Sequence, residues 1–133
     1  MNFKIPLIVI AGILLIFSLW FAFPLIKTPA ELDAEYLQIQ VPAPEGINLT
    51  GFEGSWTTMR DRQGNCIRLS LMFAENNPDW KIMAMTRTNP YTRITDSHMV
   101  DVRGDVIFDP VFAIFFNREG FERFFQVEDA VVF

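Results

Sequence analysis

The sequence predicts an α+β membrane protein: a single N-terminal transmembrane helix followed by a small β-rich domain, an antiparallel meander with a short C-terminal helix. Three observations carry this. Between Ile5 and Ile26 there is no charged residue, no His and no Asn or Gln, and fifteen of these twenty-two residues are Leu, Ile, Val or Phe. Beyond Gly54, short alternating runs are separated by Gly, Asn and Pro turn signals. Near the end, Asn117 stands ahead of Phe121, Phe124 and Phe125, which fall at helical spacing.

The first segment is long enough to cross a bilayer. As a helix, residues 5–26 reach roughly 33 Å, against a hydrocarbon core of about 30 Å. Pro6 and Pro24 lie near its ends, where a missing helical hydrogen bond costs least. Trp20 suits the interfacial zone, and Lys4 and Lys27 bracket the span. A cleaved signal has a shorter apolar core, so the expectation is an anchor over residues 1–27. Lys4 and the amino terminus place the N-terminus in the cytoplasm and the domain on the outer, periplasmic or equivalent, side.

Residues 28–46 contain Pro29, Pro42 and Pro44 around a charged run and read as a tether, with Tyr36 to Val41 as a candidate edge strand. Residues 47–133 form the expected domain. Within it, residues 55–61, the turn Arg62 to Asn65, and the alternating run Cys66 to Phe73 read as a β-hairpin. After the turn signal at Asn76 to Asp79, a third strand runs from Trp80 to Arg87, with Ile82, Ala84 and Thr86 on one face. Val100, Val102, Val106 and Phe108 continue the pattern across a turn at Arg103-Gly104-Asp105, and that tripeptide reads as a turn before it reads as an adhesion signal. Asp109-Pro110 resembles a helix start, but the preferred reading is a strand from Val111 to Phe116 and then the helix capped by Asn117. The apolar end, Ala130 to Phe133, reads as a paired strand or an interface segment.

Charge bounds the partners. Residues 28–133 hold sixteen acidic and nine basic residues, a net −7, and eight of the nine basic residues are Arg. Nucleic acid needs a basic field, so none is expected. The partners expected are the membrane and other membrane protein subunits, with any small-molecule ligand unknown.

Catalytic motifs are sparse. One Cys and one His exclude structural zinc within a single chain. No phosphate-binding glycine loop, nucleophile elbow or dinucleotide fingerprint occurs. Asp96, Asp101, Asp105 and Asp109 lack the density of a calcium loop and read as solvated. A Cys66 and His98 nucleophile pair is compatible with the sequence, but Cys66 in a strand reads as a small buried hydrophobe. No catalytic, cofactor-binding or metal residue is therefore assigned, no cofactor is expected, and the protein is expected not to be an enzyme.

Gly54-Ser55-Trp56, within Phe52 to Thr57, resembles the Gly-x-Trp opening of lipocalin-type barrels, which implies a cup for an apolar ligand. Only eighty residues remain from Gly54, too few for eight strands and their loops, and the resemblance is not adopted.

Eight of fourteen phenylalanines lie between residues 108 and 133. They read first as core and second as an interface of Trp20, Phe112, Phe115, Phe116, Phe121, Arg123, Phe124 and Phe125. The expected function is a single-span accessory or assembly subunit of a membrane complex. The alternative is a tethered β-domain that binds a lipid or pigment, with Trp56, Met59, Phe73, Met83 and Met85 lining the pocket.

Overall fold

The computed structural model describes residues 9–14, 26–52 and 64–133. The expected membrane span, including Trp20, falls mostly outside them. Residues 9–14 are helical and exposed. Among the described residues no helix is long and apolar enough to cross a membrane.

From Pro29 onward the described residues form three helices and five strands. Helix α1 spans Pro29–Gln38, α2 Cys66–Asn76 and α3 Arg118–Phe124, while the strands are β1 Lys81–Thr88, β2 Thr95–Arg103, β3 Val106–Asp109, β4 Ile114–Asn117 and β5 Glu128–Val132. The strands form one antiparallel sheet in the order β4-β3-β2-β1-β5. The small antiparallel sheet, the C-terminal helix and the pairing of the apolar end, which the sequence pattern predicts, are present, but the meander runs from β1 to β4 and not through Cys66 to Phe73, which is helical. Among the described residues the sheet is open, with β4 and β5 at its edges.

Helix α1 replaces the edge strand expected at Tyr36 to Val41. Thr28 caps it, its hydroxyl accepting from the Glu31 N–H at 3.3 Å, and Pro29 comes next, where its missing N–H is no loss. Leu32 and Ile39 from this region lie in the core. Only Gln40 pairs as an isolated bridge, with Phe116.

Helix α2 replaces the second strand of the expected hairpin. The alternation of Ile67, Leu69, Leu71 and Phe73 suggested a strand, yet Ile67 and Leu71 are more than half exposed. The buried residues are Leu69, Ser70 and Phe73, the i, i+1, i+4 set of a helix face. Residues 55–61, the first strand of that hairpin, lie outside the described residues.

The sheet is packed on both faces. Met83, Met85, Val100, Val102, Ile107 and Phe116 meet Leu32 and Ile39 and, from the α3 end, Phe121, Phe124 and Phe125. Phe108 and Phe115 alternate to the other face and meet Phe52, Leu69, Phe73 and Trp80. Phe73 stacks on Phe108 with ring centroids 4.2 Å apart. Each such ring, fully buried, contributes about 1.5–3 kcal/mol.

Two glycines have specific duties. Gly104 has φ +58, the left-handed geometry that the tight β2–β3 turn needs. Gly120 lets α3 approach the core, because a Cβ there would lie 2.6 Å from Ile39 Cγ2. Asn117 caps α3 through a 2.9 Å bond from the Gly120 N–H, as its place in the sequence predicts.

The register of β2 leaves part of that strand with a single neighbour. Strand β3 pairs with β2 only from Asp101–Phe108 to Arg103–Val106, then continues to Asp109 beside β4. Among the described residues, the preceding stretch of β2 is paired with β1 alone. His98 lies in that stretch.

Candidate active site

His98 and Asp109 come together where β3 leaves β2. The imidazole Nε2 lies 2.9 Å from Asp109 Oδ2, and both side chains are buried. Asp109 Oδ1 accepts from the Val111 N–H at 3.0 Å, which fixes the carboxylate's other edge. Arg87 Nη1 stands 3.4 Å from Oδ2, while its Nε reaches Asp96 at 3.3 Å and its guanidinium sits over the Phe125 ring. A buried carboxylate is tolerable when cations and N–H donors surround it, as they do here. Tyr36 borders the cluster, and its phenol is pushed up to about 12 by burial first and then by the charge of Asp109.

Cys66 reaches the same imidazole from the opposite layer. It is the first residue of α2 and is partly exposed. Its thiol is held below the ordinary value, first by a hydrogen bond with His98, against some burial, and then by the His98 charge and the backbone at Met99 and Ile67. With Nε2 on Asp109, Nδ1 is the ring nitrogen left to exchange a proton with the thiol. Burial alone would lower the pKa of His98, but the charge and hydrogen bond of Asp109, with help from Cys66, raise it to about 9. The two shifts agree in direction: each favours a thiolate beside an imidazolium over the neutral pair.

The helix end adds to this. The first N–H groups of a helix have no acceptor inside it, and Cys66 stands at that end of α2. The positive end of the α2 dipole therefore faces the sulfur. Beside it opens a cavity of about 310 Å³, lined by Cys66, Ile67, His98 and Met99 and by Ala84, Met85, Thr86, Ser97, Asp129 and Val131. A nucleophile, a base, a group orienting the base and a cavity at the sulfur are the parts that nucleophilic catalysis requires. Among the described residues no cluster of three metal-ligating side chains occurs.

This corrects two expectations. Cys66 opens a helix and does not sit inside a strand. Of the four spaced acids read as solvated, Asp101 and Asp109 are fully buried. The Asp109-Pro110 pair is the end of β3 and a turn, and the Asp109 side chain serves His98 and Val111, not a helix cap. The available signal was the pairing of the only Cys and the only His with an Asp fixed before Pro, the Cys coming directly after Gly64-Asn65 at a helix start.

The residues expected at an interface are distributed differently. Phe115, Phe116, Phe121, Phe124 and Phe125 are buried in the core, the first reading of the aromatic surplus. Phe112 is half-buried and touches Tyr36 edge-on, and Arg123 is exposed. Of the residues expected to line a ligand pocket, Phe73, Met83 and Met85 are core side chains, Met85 also touching the cavity. Trp56 and Met59 lie outside the described residues.

Comparison with family models, with curated proteins and with solved structures finds no match for this chain.

Proposed function

We propose that this protein is a thiol-dependent acyl-transfer enzyme, with Cys66 as nucleophile, His98 as general base and acid, and Asp109 as the residue that orients the imidazole. The observation that carries the proposal is that Cys66, at a helix N-terminus, and His98 line one cavity, with His98 Nε2 2.9 Å from the buried Asp109 carboxylate. In the reaction, the Cys66 thiolate attacks the carbonyl carbon of an ester, thioester or amide. The developing oxyanion lies at the α2 N-terminus, where helix N–H groups and the dipole favour negative charge. The leaving group departs with the proton from His98 and leaves a thioester on Sγ. Water or another nucleophile then gives its proton to His98 and attacks that thioester, releasing the acyl product and restoring the thiol.

The pH dependence of Cys66 alkylation by iodoacetamide tests this, because the chain has one cysteine and each adduct is read by intact mass. The expected rate stays high well below the titration range of an ordinary thiol, and His98→Asn moves the profile up into that range. A wild-type profile indistinguishable from that of the unfolded chain would sink the proposal.

The apolar segment from Ile5 to Ile26 supports a second statement, that the enzyme is held at a membrane by a single pass with its domain on the outer side. Release of the full chain from membranes by alkaline carbonate would refute that anchor. A role as accessory subunit of a membrane complex is compatible with both. It is favoured by the exposed Val131, Val132 and Phe133 at the β5 edge, where an apolar strand invites a partner.

A further inference from the structure

We propose that the cavity beside Cys66 is the subsite for an acyl donor carrying an apolar side chain next to a cationic group, and that Asp129 is the residue selecting the charge. This rests on the acyl-transfer reading of Cys66.

The cavity floor crosses the sheet from β2 through β1 to β5, with Met99, Ala84 and Val131 giving it an apolar surface. Among the described residues its lining contains no Lys or Arg, and apart from His98 its one ionisable side chain besides the nucleophile is Asp129. An anionic donor therefore finds no counter-charge in that lining beyond His98, which Asp109 already pairs, and a cationic one finds the Asp129 carboxylate at its other end.

Asp129 is placed there by a local irregularity. Ala84 pairs with Val131 and Thr86 with Glu128, so two residues of β5, Asp129 and Ala130, stand opposite Met85 alone. Such a bulge re-aims side chains and is frequent beside active sites. Asp129 has φ +53, a left-handed conformation that Asp tolerates better than most residues. Strands lie about 4.8 Å apart, which puts β5 about 10 Å from β2. That is the reach of a lysyl side chain one residue away from the carbonyl under attack.

Two inactivators on one backbone are compared, acetyl-lysyl-leucyl chloromethyl ketone and the same compound acetylated on the lysine Nε, which loses the charge and lengthens the side chain; the variants at residues 129 and 128 then separate charge from shape. In each, Cys66 Sγ bonds to the methylene carbon and chloride leaves. The full-length protein is expected to react about two- to fivefold faster with the charged form, as an exposed ion pair allows, and the preference fades in about 1 M salt. Asp129→Asn, which keeps a residue tolerant of positive φ, brings the ratio to about one. Glu128→Gln removes the same unit of charge from outside the cavity lining and keeps the preference. If Asp129→Asn leaves the ratio unchanged, or Glu128→Gln abolishes it equally, charge selection by Asp129 is overturned while the Cys66 reading stands. If neither ketone modifies Cys66 faster than the thiol of the unfolded chain, the acyl-transfer reading falls and takes the subsite with it.

Discussion

Asp101 and Asp109 are both fully buried acids in one sheet, and their surroundings are opposites. Asp109 has an imidazole at 2.9 Å, a backbone N–H at 3.0 Å and a guanidinium at 3.4 Å. Asp101, on β2 beneath α2, has no hydrogen-bond partner on either oxygen among the described residues, and the nearby Ser70 hydroxyl is equally unpartnered. Burial raises Asp101 to about 8, opposed by the nearby Ser70 hydroxyl and reinforced, more weakly, by the charge of Asp109. One carboxyl is equipped to hold a charge and steer a histidine; the other keeps its proton. Depth of burial does not distinguish them, but the neighbouring donors do.

The larger way to break this contrast is Asp109→Ala. It removes one side of a buried charge pair and leaves His98 and Arg87 without their carboxylate, a change that costs about 3–5 kcal/mol. Urea unfolding measures it. A cost below about 1 kcal/mol would make Asp109 as dispensable as an ordinary surface acid.

A smaller effect sharpens the contrast through pH. Asp101 binds its proton more tightly when folded than when unfolded, so its contribution is complete below about 4, the unfolded value. It is lost as pH rises toward about 8. The raised pKa of His98 acts with the same sign, from about 6.5 in the unfolded chain up to about 9. Stability is therefore expected to fall from about pH 5 to about pH 9. Asp101→Asn should remove the part of that slope below about pH 6, where His98 is protonated in both states and contributes nothing. Parallel stability curves for the wild type and Asp101→Asn between about pH 4.5 and about pH 6 would show that Asp101 does not hold its proton.

The strands were largely legible because apolar residues alternate along them between turn signals, even though a sheet packed on both faces buries consecutive residues. Ile82, Ala84 and Thr86 share a face of β1, and Val100 with Val102 and Val106 with Phe108 flank a glycine turn. The Asn117 cap was legible for the same reason that it works: a short polar side chain precedes three phenylalanines at helical spacing. Helix α2 was misread because Ile67 and Leu71 place apolar side chains on its outer face, so apolar residues alternate where burial does not. The site was illegible for a different reason. Cys66, His98 and Asp109 are far apart in sequence, and each had an ordinary alternative as a buried thiol, a lone ring or a cap. Only the parting of β3 from β2 and the approach of α2 bring them together, and neither is written in local pattern.

A lone activated thiol also sets how the protein fails. Peroxide converts a thiolate to a sulfenic acid, which a neighbouring cysteine ordinarily captures as a disulfide before further damage. This chain has no second sulfhydryl. Rescue of Cys66 must therefore come from outside, from a small thiol or another protein, and where none is present oxidation runs on to the sulfinic acid, which would end the proposed chemistry for good.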